Sequence, residues 1–361
     1  MPKPDCLRIF AASLATAGLA VAATSPIAAT EITDQRGKTV ELNTPAKRIV
    51  YIPPVMGTYL TVDRQSDHIV GTSAFAKRII AQGLLNRIFP GTAKIPDVTR
   101  NGYFAPNQEA LLATRPEVVF QTVQIGPEPY AQLEKLGLKV IGITGVHGED
   151  DFITWTHLAG TVAGKAKMAE SLTSRFEAER KRMDTMFEGL PDKMRPKVLH
   201  LMHVEPLRPA VGGSAYDQGI RHAGGRNVAG KMTQFGPVTF EQVLAWDPDV
   251  ILISGWPEEK TVPADLFGDP KWAVLRAVKS RRVYKVPLGG QRFEGVVEEP
   301  LYWQWLAELL HPKQTEHRFR SQFQQTYRTV YDYPLSEDQI DRAIYADANR
   351  QSAGFDRLLR R

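Results

Sequence analysis

Residues 107–120 read NQEALLATRPEVVF, and residues 239–252 read TFEQVLAWDPDVIL. In each copy a glutamate opens a short helix, Leu-Ala follows, and a proline ends the helix two residues before a valine. The apolar run after the proline is typical of a buried strand in a parallel sheet. The same helix-and-strand unit therefore occurs twice, which indicates two lobes of related structure.

Short apolar runs alternate with helical stretches on both sides of these units, a pattern that predicts parallel strands joined by crossover helices. Strands are predicted over 48–52, 68–71, 117–121 and 139–143, and again over 197–204, 249–254 and 282–286. The predicted fold class is α/β, with two α/β lobes built on central, mostly parallel sheets.

The region between the two sets of strands predicts a long helix. No proline occurs from 151 to 190, and Ala169, Leu172, Phe176 and Met183 stand at helical spacing. We expect this helix to be broken near Gly164 and to join the lobes as a stiff hinge. The predicted division is a first lobe over 30–160, a linking helix over 161–190 and a second lobe over 191–361.

The N-terminal segment has the pattern of a secretory signal peptide. Lys3 and Arg8 precede an uncharged run from 9 to 23, and small residues follow at 28 and 29. The run is short of the roughly 20 residues that span a bilayer. We therefore predict a cleaved signal peptide over 1–29 and a periplasmic location. The single cysteine, Cys6, lies in the removed segment, so no disulfide or thiolate metal site is expected.

Charge and motifs exclude several functions. Lys and Arg number 45 against 40 Asp and Glu, and no long basic block interleaves with aromatics, so nucleic-acid binding is not predicted. The zinc-protease, nucleophile-elbow, phosphate-loop and dinucleotide motifs are absent, so the chain is not predicted to be an enzyme. The remaining enzymatic alternative is a periplasmic hydrolase that would pair Glu294 with Glu298 or Glu299.

Ligands of open α/β sheets bind beyond the carboxyl ends of the strands, so the loops after the strands are expected to line a cleft. Aromatic faces and guanidinium groups in those loops suit a bulky anionic chelate, although packing or a solvated surface explains any one of them equally well. The candidate ligand residues are Arg100, Tyr103 and His147 in the first lobe and Arg208, Tyr216, Trp256, Arg292 and Phe293 in the second.

Glu109 and Glu241 occupy the same position of the repeated unit. An acid in the first turn of a helix is favoured by the helix dipole, which is sufficient to explain one copy. Two copies on different lobes favour a second role, in which the acids dock onto two matching basic sites of a dimeric partner.

The order and spacing of further motifs carry a family resemblance. Four regions contribute: residues 32–40 with 45–50, residues 106–119, a turn at 213–217 that leads into 223–229, and the stretch from 269–272 to 281–284. With these motifs the chain resembles the periplasmic binding proteins for iron siderophores, haem and cobalamin, the helix-linked class that serves ABC importers.

The resemblance implies a monomer, with no cofactor and no bound metal of its own, that captures a metal chelate and delivers it to the permease dimer of an inner-membrane ABC importer. It implies that Glu109 and Glu241 pair with transporter arginines. The predicted cargo is a ferric siderophore. Haem, cobalamin or a nickel or cobalt chelate are the alternatives, and in the last case His147 or His203 would ligate the metal directly.

Overall fold

The computed structural model describes residues 29–145, 147–256 and 258–359. The predicted signal peptide, apart from Ala29, lies outside these described residues. The described chain begins with an antiparallel hairpin of β1 (Thr30–Thr33) and β2 (Thr39–Leu42), which was not predicted. Asp34 in its turn accepts a hydrogen bond from the Gly142 amide at 2.7 Å, and this contact attaches the hairpin to the first sheet.

The first sheet has four parallel strands in the order β4-β3-β5-β6. All four strands were predicted, and the observed ends differ from the predicted ones by a residue or so. They are β3 (Ile49–Tyr51), β4 (Ile69–Thr72), β5 (Val118–Thr122) and β6 (Val140–Ile143).

The second sheet contains the three predicted strands and two short additions. The strands are β7 (Lys197–His203), β8 (Arg208–Pro209), β9 (Arg226–Asn227), β10 (Val250–Ile253) and β11 (Val283–Lys285). Parallel pairing gives the order β11-β10-β7, and the other edge of β7 pairs with β9 in parallel and with β8 antiparallel. The predicted α/β class with mostly parallel sheets is confirmed.

The two sheets repeat each other down to single hydrogen bonds. The order β4-β3-β5-β6 corresponds to β9-β7-β10-β11. The Glu117 amide donates to the Arg48 carbonyl, and the Asp249 amide, at the same position of the repeat, donates to the Lys197 carbonyl, each at 2.8 Å. The duplication inferred from the sequence therefore extends to how each unit is fastened to the neighbouring strand.

Fifteen α-helices are present among the described residues. They are α1 (Met56–Asp63), α2 (Ala74–Gln82), α3 (Leu85–Ile88), α4 (Gln108–Ala113), α5 (Glu128–Lys135), α6 (Glu149–Val162), α7 (Ala166–Met186), α8 (Ala215–His222), α9 (Phe240–Trp246), α10 (Pro263–Gly268), α11 (Arg276–Lys279), α12 (Glu299–Leu310), α13 (Phe319–Tyr331), α14 (Glu337–Ala343) and α15 (Ala346–Asn349). Short 3₁₀ turns occupy Pro90–Lys94, Asp192–Met194, Trp272–Val274 and Phe355–Leu358. None of the described helices is long and apolar enough to cross a membrane.

The predicted long helix is two helices, α6 and α7. The chain breaks at Gly164, whose φ of +64° is left-handed, as expected from the sequence. Helix α7 ends at Met186, short of the predicted 190. Its buried face carries Ala169, Leu172, Phe176 and Met183, the residues that predicted it.

One apolar core runs through both lobes. It includes Tyr51 of the first sheet, Tyr284 of the second, and side chains of α6, α7, α12 and α13. Polar contacts join the lobes as well: the Leu84 amide donates to the Gly289 carbonyl at 2.9 Å, and Thr61 lies 2.9 Å from the Tyr331 hydroxyl. Contacts of this kind favour small movements between the lobes.

Candidate ligand cleft and docking surfaces

Among the candidate ligand residues, Arg292 lies in a loop with an unusual backbone conformation. It follows β11 in a loop where Arg292 and Phe293 are both left-handed, with φ of +66° and +52°. Consecutive left-handed residues other than glycine are costly and persist only where surrounding contacts hold them. The strained backbone therefore marks a loop whose side-chain directions are imposed by its neighbours.

Glu298 supplies the contacts that hold this loop. Its buried carboxylate accepts hydrogen bonds from the Gly290 amide at 2.6 Å, from the Gln291 amide at 3.0 Å and from the Tyr327 hydroxyl. Burial raises the pKa of Glu298 to about 7 in spite of these donors. Glu298, one of the acids named for the hydrolase alternative, therefore holds this loop in place.

The Arg292 guanidinium is almost fully buried and only partly satisfied. Its Nη2 donates to Glu294 Oε2 at 2.6 Å, and its Cζ lies 5.1 Å from the centre of the Trp256 ring. Its Nε has no hydrogen-bond partner among the described residues, although the residue is only 9% exposed. A buried guanidinium N–H without an acceptor is costly, so this atom is a candidate ligand contact.

Tyr216 completes the same cluster. Its hydroxyl donates to Glu294 Oε1 at 2.6 Å, so one carboxylate receives both Arg292 and Tyr216. Burial, and next the charge of Glu294, raises the pKa of Tyr216, so this phenol remains protonated. The structure therefore brings together three of the predicted ligand residues: Tyr216, Trp256 and Arg292.

Two histidines border this cluster. The His200 ring lies 5.2 Å from Tyr216, and the His203 ring lies 5.5 Å from Trp256. Burial lowers the pKa of His200 to about 3, so its imidazole is neutral. A cavity of about 10 Å³ remains between these side chains, which is room for about one water molecule.

The first lobe contributes a cationic and aromatic group opposite the loop after β10. Tyr103 is 50% exposed and packs 5.4 Å from Phe75, and the Arg78 guanidinium lies against both rings. Arg78 Nε lies 3.6 Å from Glu258 Oε1, so an ion pair joins α2 of the first lobe to the loop after β10 of the second. Arg78 was not among the predicted ligand residues.

Of the remaining candidates, three are exposed and one is buried. Arg100 is exposed, and its amide closes a turn onto Ala105. The His147 side chain is 66% exposed with Nδ1 3.8 Å from Asp151, and Arg208 is exposed on β8. The Phe293 side chain is 1% exposed and packs 5.4 Å from Phe323, and Phe293 also borders the small cavity beside Arg292 and Trp256.

A metal ion bound by the protein alone would need a cluster of ligand side chains. No group of three or more His, Cys, Asp or Glu side chains there could hold a metal ion. His147 and His203, the residues proposed for that role, contact Asp151 and Trp256 respectively.

A wide groove of about 1290 Å³ lies elsewhere, between α7 and α8. Charged side chains of both signs line it, and none of the candidate ligand residues is among them. At its base His222 lies between Glu149, at 2.9 Å from its Nε2, and Asp184. We assign this groove no ligand, because its charges are largely paired with one another.

The docking candidates Glu109 and Glu241 are exposed on α4 and α9. Both helices are capped by other residues: Asn107 accepts from the Ala110 amide and Thr239 from the Gln242 amide, each at 3.3 Å. Hydrogen bonds from its own backbone amide and from Thr239 lower the pKa of Glu241. Neither glutamate forms a salt bridge within the described residues, so both carboxylates are available to a partner.

The chain is similar to known proteins in sequence and in fold. A family model described as periplasmic binding protein matches residues 60–288. The molybdate-binding protein MolA of Haemophilus influenzae is 27% identical over 254 residues, which is 62% of this chain and 71% of MolA.

Solved structures agree on the fold. A periplasmic solute binding protein from Veillonella parvula matches with a TM-score of 0.78 and 26% identity, covering 89% of this chain and 98% of that one. MolA bound to molybdate matches with a TM-score of 0.75 and 22% identity, covering 85% and 99%. The family and these relatives are binding proteins and not enzymes, as predicted from the sequence motifs.

Proposed function

Because the chain belongs to the periplasmic binding protein family, we propose that it captures a compact metal oxyanion of the molybdate class and delivers it to an ABC importer in the inner membrane. The observation that carries this proposal is the buried Arg292 guanidinium, which has an unpartnered Nε and stacks on Trp256. Guanidinium forks match the oxygens of tetrahedral oxyanions, and the bond gains strength where water is excluded.

A second guanidinium group supports the same ligand. Arg292 contacts Trp256, and Arg78 contacts Glu258 in the same loop, so cations from opposite lobes converge on the loop after β10. An oxyanion that entered between them could replace the Glu258 carboxylate as the partner of Arg78. Ligand binding would then exchange one ion pair for another with little movement of the lobes.

The size of the enclosed space favours a small ligand. Arg292 is 9% exposed and the cavity beside it has room for about one water molecule. A tetrahedral oxyanion would have to displace the Trp256 loop to reach Nε. A siderophore would reach the exposed edge of the cleft and leave Arg292 unused.

The ferric siderophore expected from the sequence is kept as a second candidate because of Tyr103. This ring is half exposed beside Phe75 and Arg78, an arrangement that suits a flat, negatively charged chelate. Haem, a larger planar anion, would use the same platform.

For delivery we propose that Glu109 and Glu241 contact basic residues on the two halves of a permease dimer, with the chain acting as a monomer. We propose the division into lobes over 30–160 and 191–361, joined through 161–190, as the arrangement that places one glutamate on each lobe.

A fluorescence titration of the mature protein discriminates these ligands. The panel contains molybdate, tungstate and sulfate together with ferric siderophores, haem and cobalamin, with Trp256→Phe as the control for the reporter ring. Saturable quenching by molybdate or tungstate that is lost in Trp256→Phe supports the oxyanion. A response to siderophores or haem alone would transfer the assignment to the Tyr103 platform and reject the oxyanion.

A further inference from the structure

Each of the two docking glutamates is followed, three residues later, by a leucine that points into solvent. Leu112 on α4 is 40% exposed and Leu244 on α9 is 41% exposed. The residues just before them, Leu111 and Val243, are fully buried and anchor the two helices. The repeated unit therefore uses one apolar residue for its core and leaves the next one outside.

Residues three apart on a helix lie on the same face, so each leucine shares a surface with its glutamate. A single exposed leucine needs no explanation. A leucine retained at the same position and with the same exposure on both lobes does need one, because most other positions of the unit differ between the copies. Between the copies, the helix caps are Asn107 and Thr239, and the buried anchors are leucine and valine.

From this we propose that the docking surface of each lobe is a glutamate-leucine patch, Glu109 with Leu112 and Glu241 with Leu244. Its partner is a two-fold symmetric permease dimer that presents, on each half, a basic group beside an apolar pocket. This inference rests on the proposed docking role of the glutamates and adds the apolar half of the contact.

Charge and symmetry together select this partner. A partner that pairs with both acids must supply cations, which an anionic lipid surface does not. A second copy of this chain that docked through the same patch would place acid against acid. A dimer with one basic, apolar site per subunit satisfies both patches at once, and two weak contacts on one rigid body reinforce each other.

The double variant Leu112→Ser/Leu244→Ser tests the apolar half directly. Binding of the mature protein to inner-membrane vesicles that contain the importer is measured beside binding to protein-free anionic liposomes. The matched control is Leu136→Ser, because Leu136 is 43% exposed and lies outside the repeated unit. From the exposed area we expect roughly a fivefold loss of affinity per leucine and an unchanged response in the ligand titration.

The charge variant Glu109→Lys/Glu241→Lys distinguishes a failure of this inference from a failure of the proposed docking role. Loss of vesicle binding in the charge variant but not in the leucine variant would overturn the apolar contact and leave the acidic docking intact. Full binding by both variants would overturn the docking role itself. Liposome binding equal to vesicle binding would identify a lipid surface as the partner in place of the permease. Dimers in sedimentation that depend on the leucines would identify a second copy of this chain.

Discussion

The His222 imidazole bridges Glu149 and Asp184, with Nε2 2.9 Å from the Glu149 carboxylate and Nδ1 facing Asp184. A neutral imidazole has one N–H, so donating to both acids requires the charged form. Burial opposes that charge, but Glu149 and Asp184 outweigh it and raise the pKa of His222. Gln218, one turn earlier on α8, accepts from the Glu149 amide at 2.7 Å, so α8 is fastened twice to the start of α6.

We expect the stability that His222 contributes to depend on pH. Because its folded pKa is raised above that of the unfolded chain, the contribution is complete below about pH 6.5 and is lost as the pH rises through the folded pKa. His222→Gln should lower the free energy of unfolding by roughly 1–3 kcal/mol at pH 5.5 and by less at pH 8.5, measured by urea unfolding. His157→Gln, on the exposed face of α6, is the control, and a deficit that stays constant with pH would contradict the ionic bridge.

Glu298 predicts a second pH effect in a different window. Its pKa is about 7 in the folded protein, above the ordinary value of 4.5, so the folded state binds this proton more tightly. The free energy of unfolding that depends on Glu298 therefore falls as the pH rises from about 4.5 to 7 and stays constant above pH 7. Glu298→Gln removes this loss, so the difference in unfolding free energy between variant and wild type should move in favour of the variant across that range. A flat difference would show that Glu298 does not hold its proton.

The sheets and the repeat were predictable because buried parallel strands read as short, continuous apolar runs. Proline followed by Glu117-Val118 or Asp249-Val250 fixed two strand starts almost to the residue. The hairpin of β1 and β2 was missed, since its strands are four residues long and held by Asp34, whose role depends on a distant strand.

Side-chain direction in the cleft was less predictable. Arg292 and Phe293 are adjacent and looked equivalent, yet two left-handed backbone angles send one beneath Trp256 and the other into the core against Phe323. That geometry is imposed by Glu298, whose contacts with the loop are invisible in the sequence. Arg78 was missed for a related reason: its ion partner, Glu258, belongs to the other lobe.

Arg292 should dominate ligand affinity. Arg292→Lys keeps the charge but removes the planar guanidinium and its Nε. The loss of a charged hydrogen bond should raise the dissociation constant roughly 10- to 100-fold. Arg281→Lys is the matched control, because Arg281 is also left-handed and lies 4.3 Å above an aromatic ring, Phe267, outside the cleft. We expect less than a twofold change there, and equal effects of the two substitutions in the titration would remove Arg292 from the site.

Glu258 is expected to restrain the ligand rather than bind it. Its carboxylate holds Arg78 at 3.6 Å across the cleft and competes with an incoming oxyanion for the same guanidinium. Both side chains are partly exposed, so the ion pair is worth at most about 1 kcal/mol and its removal should change affinity by no more than roughly fivefold. Glu258→Gln should therefore tighten oxyanion binding slightly and speed association in stopped-flow fluorescence, most clearly at low salt. Weaker binding in this variant would mean that Glu258 stabilises the liganded state, and the ligand would then be a group that carries a hydrogen-bond donor or a positive charge toward Glu258.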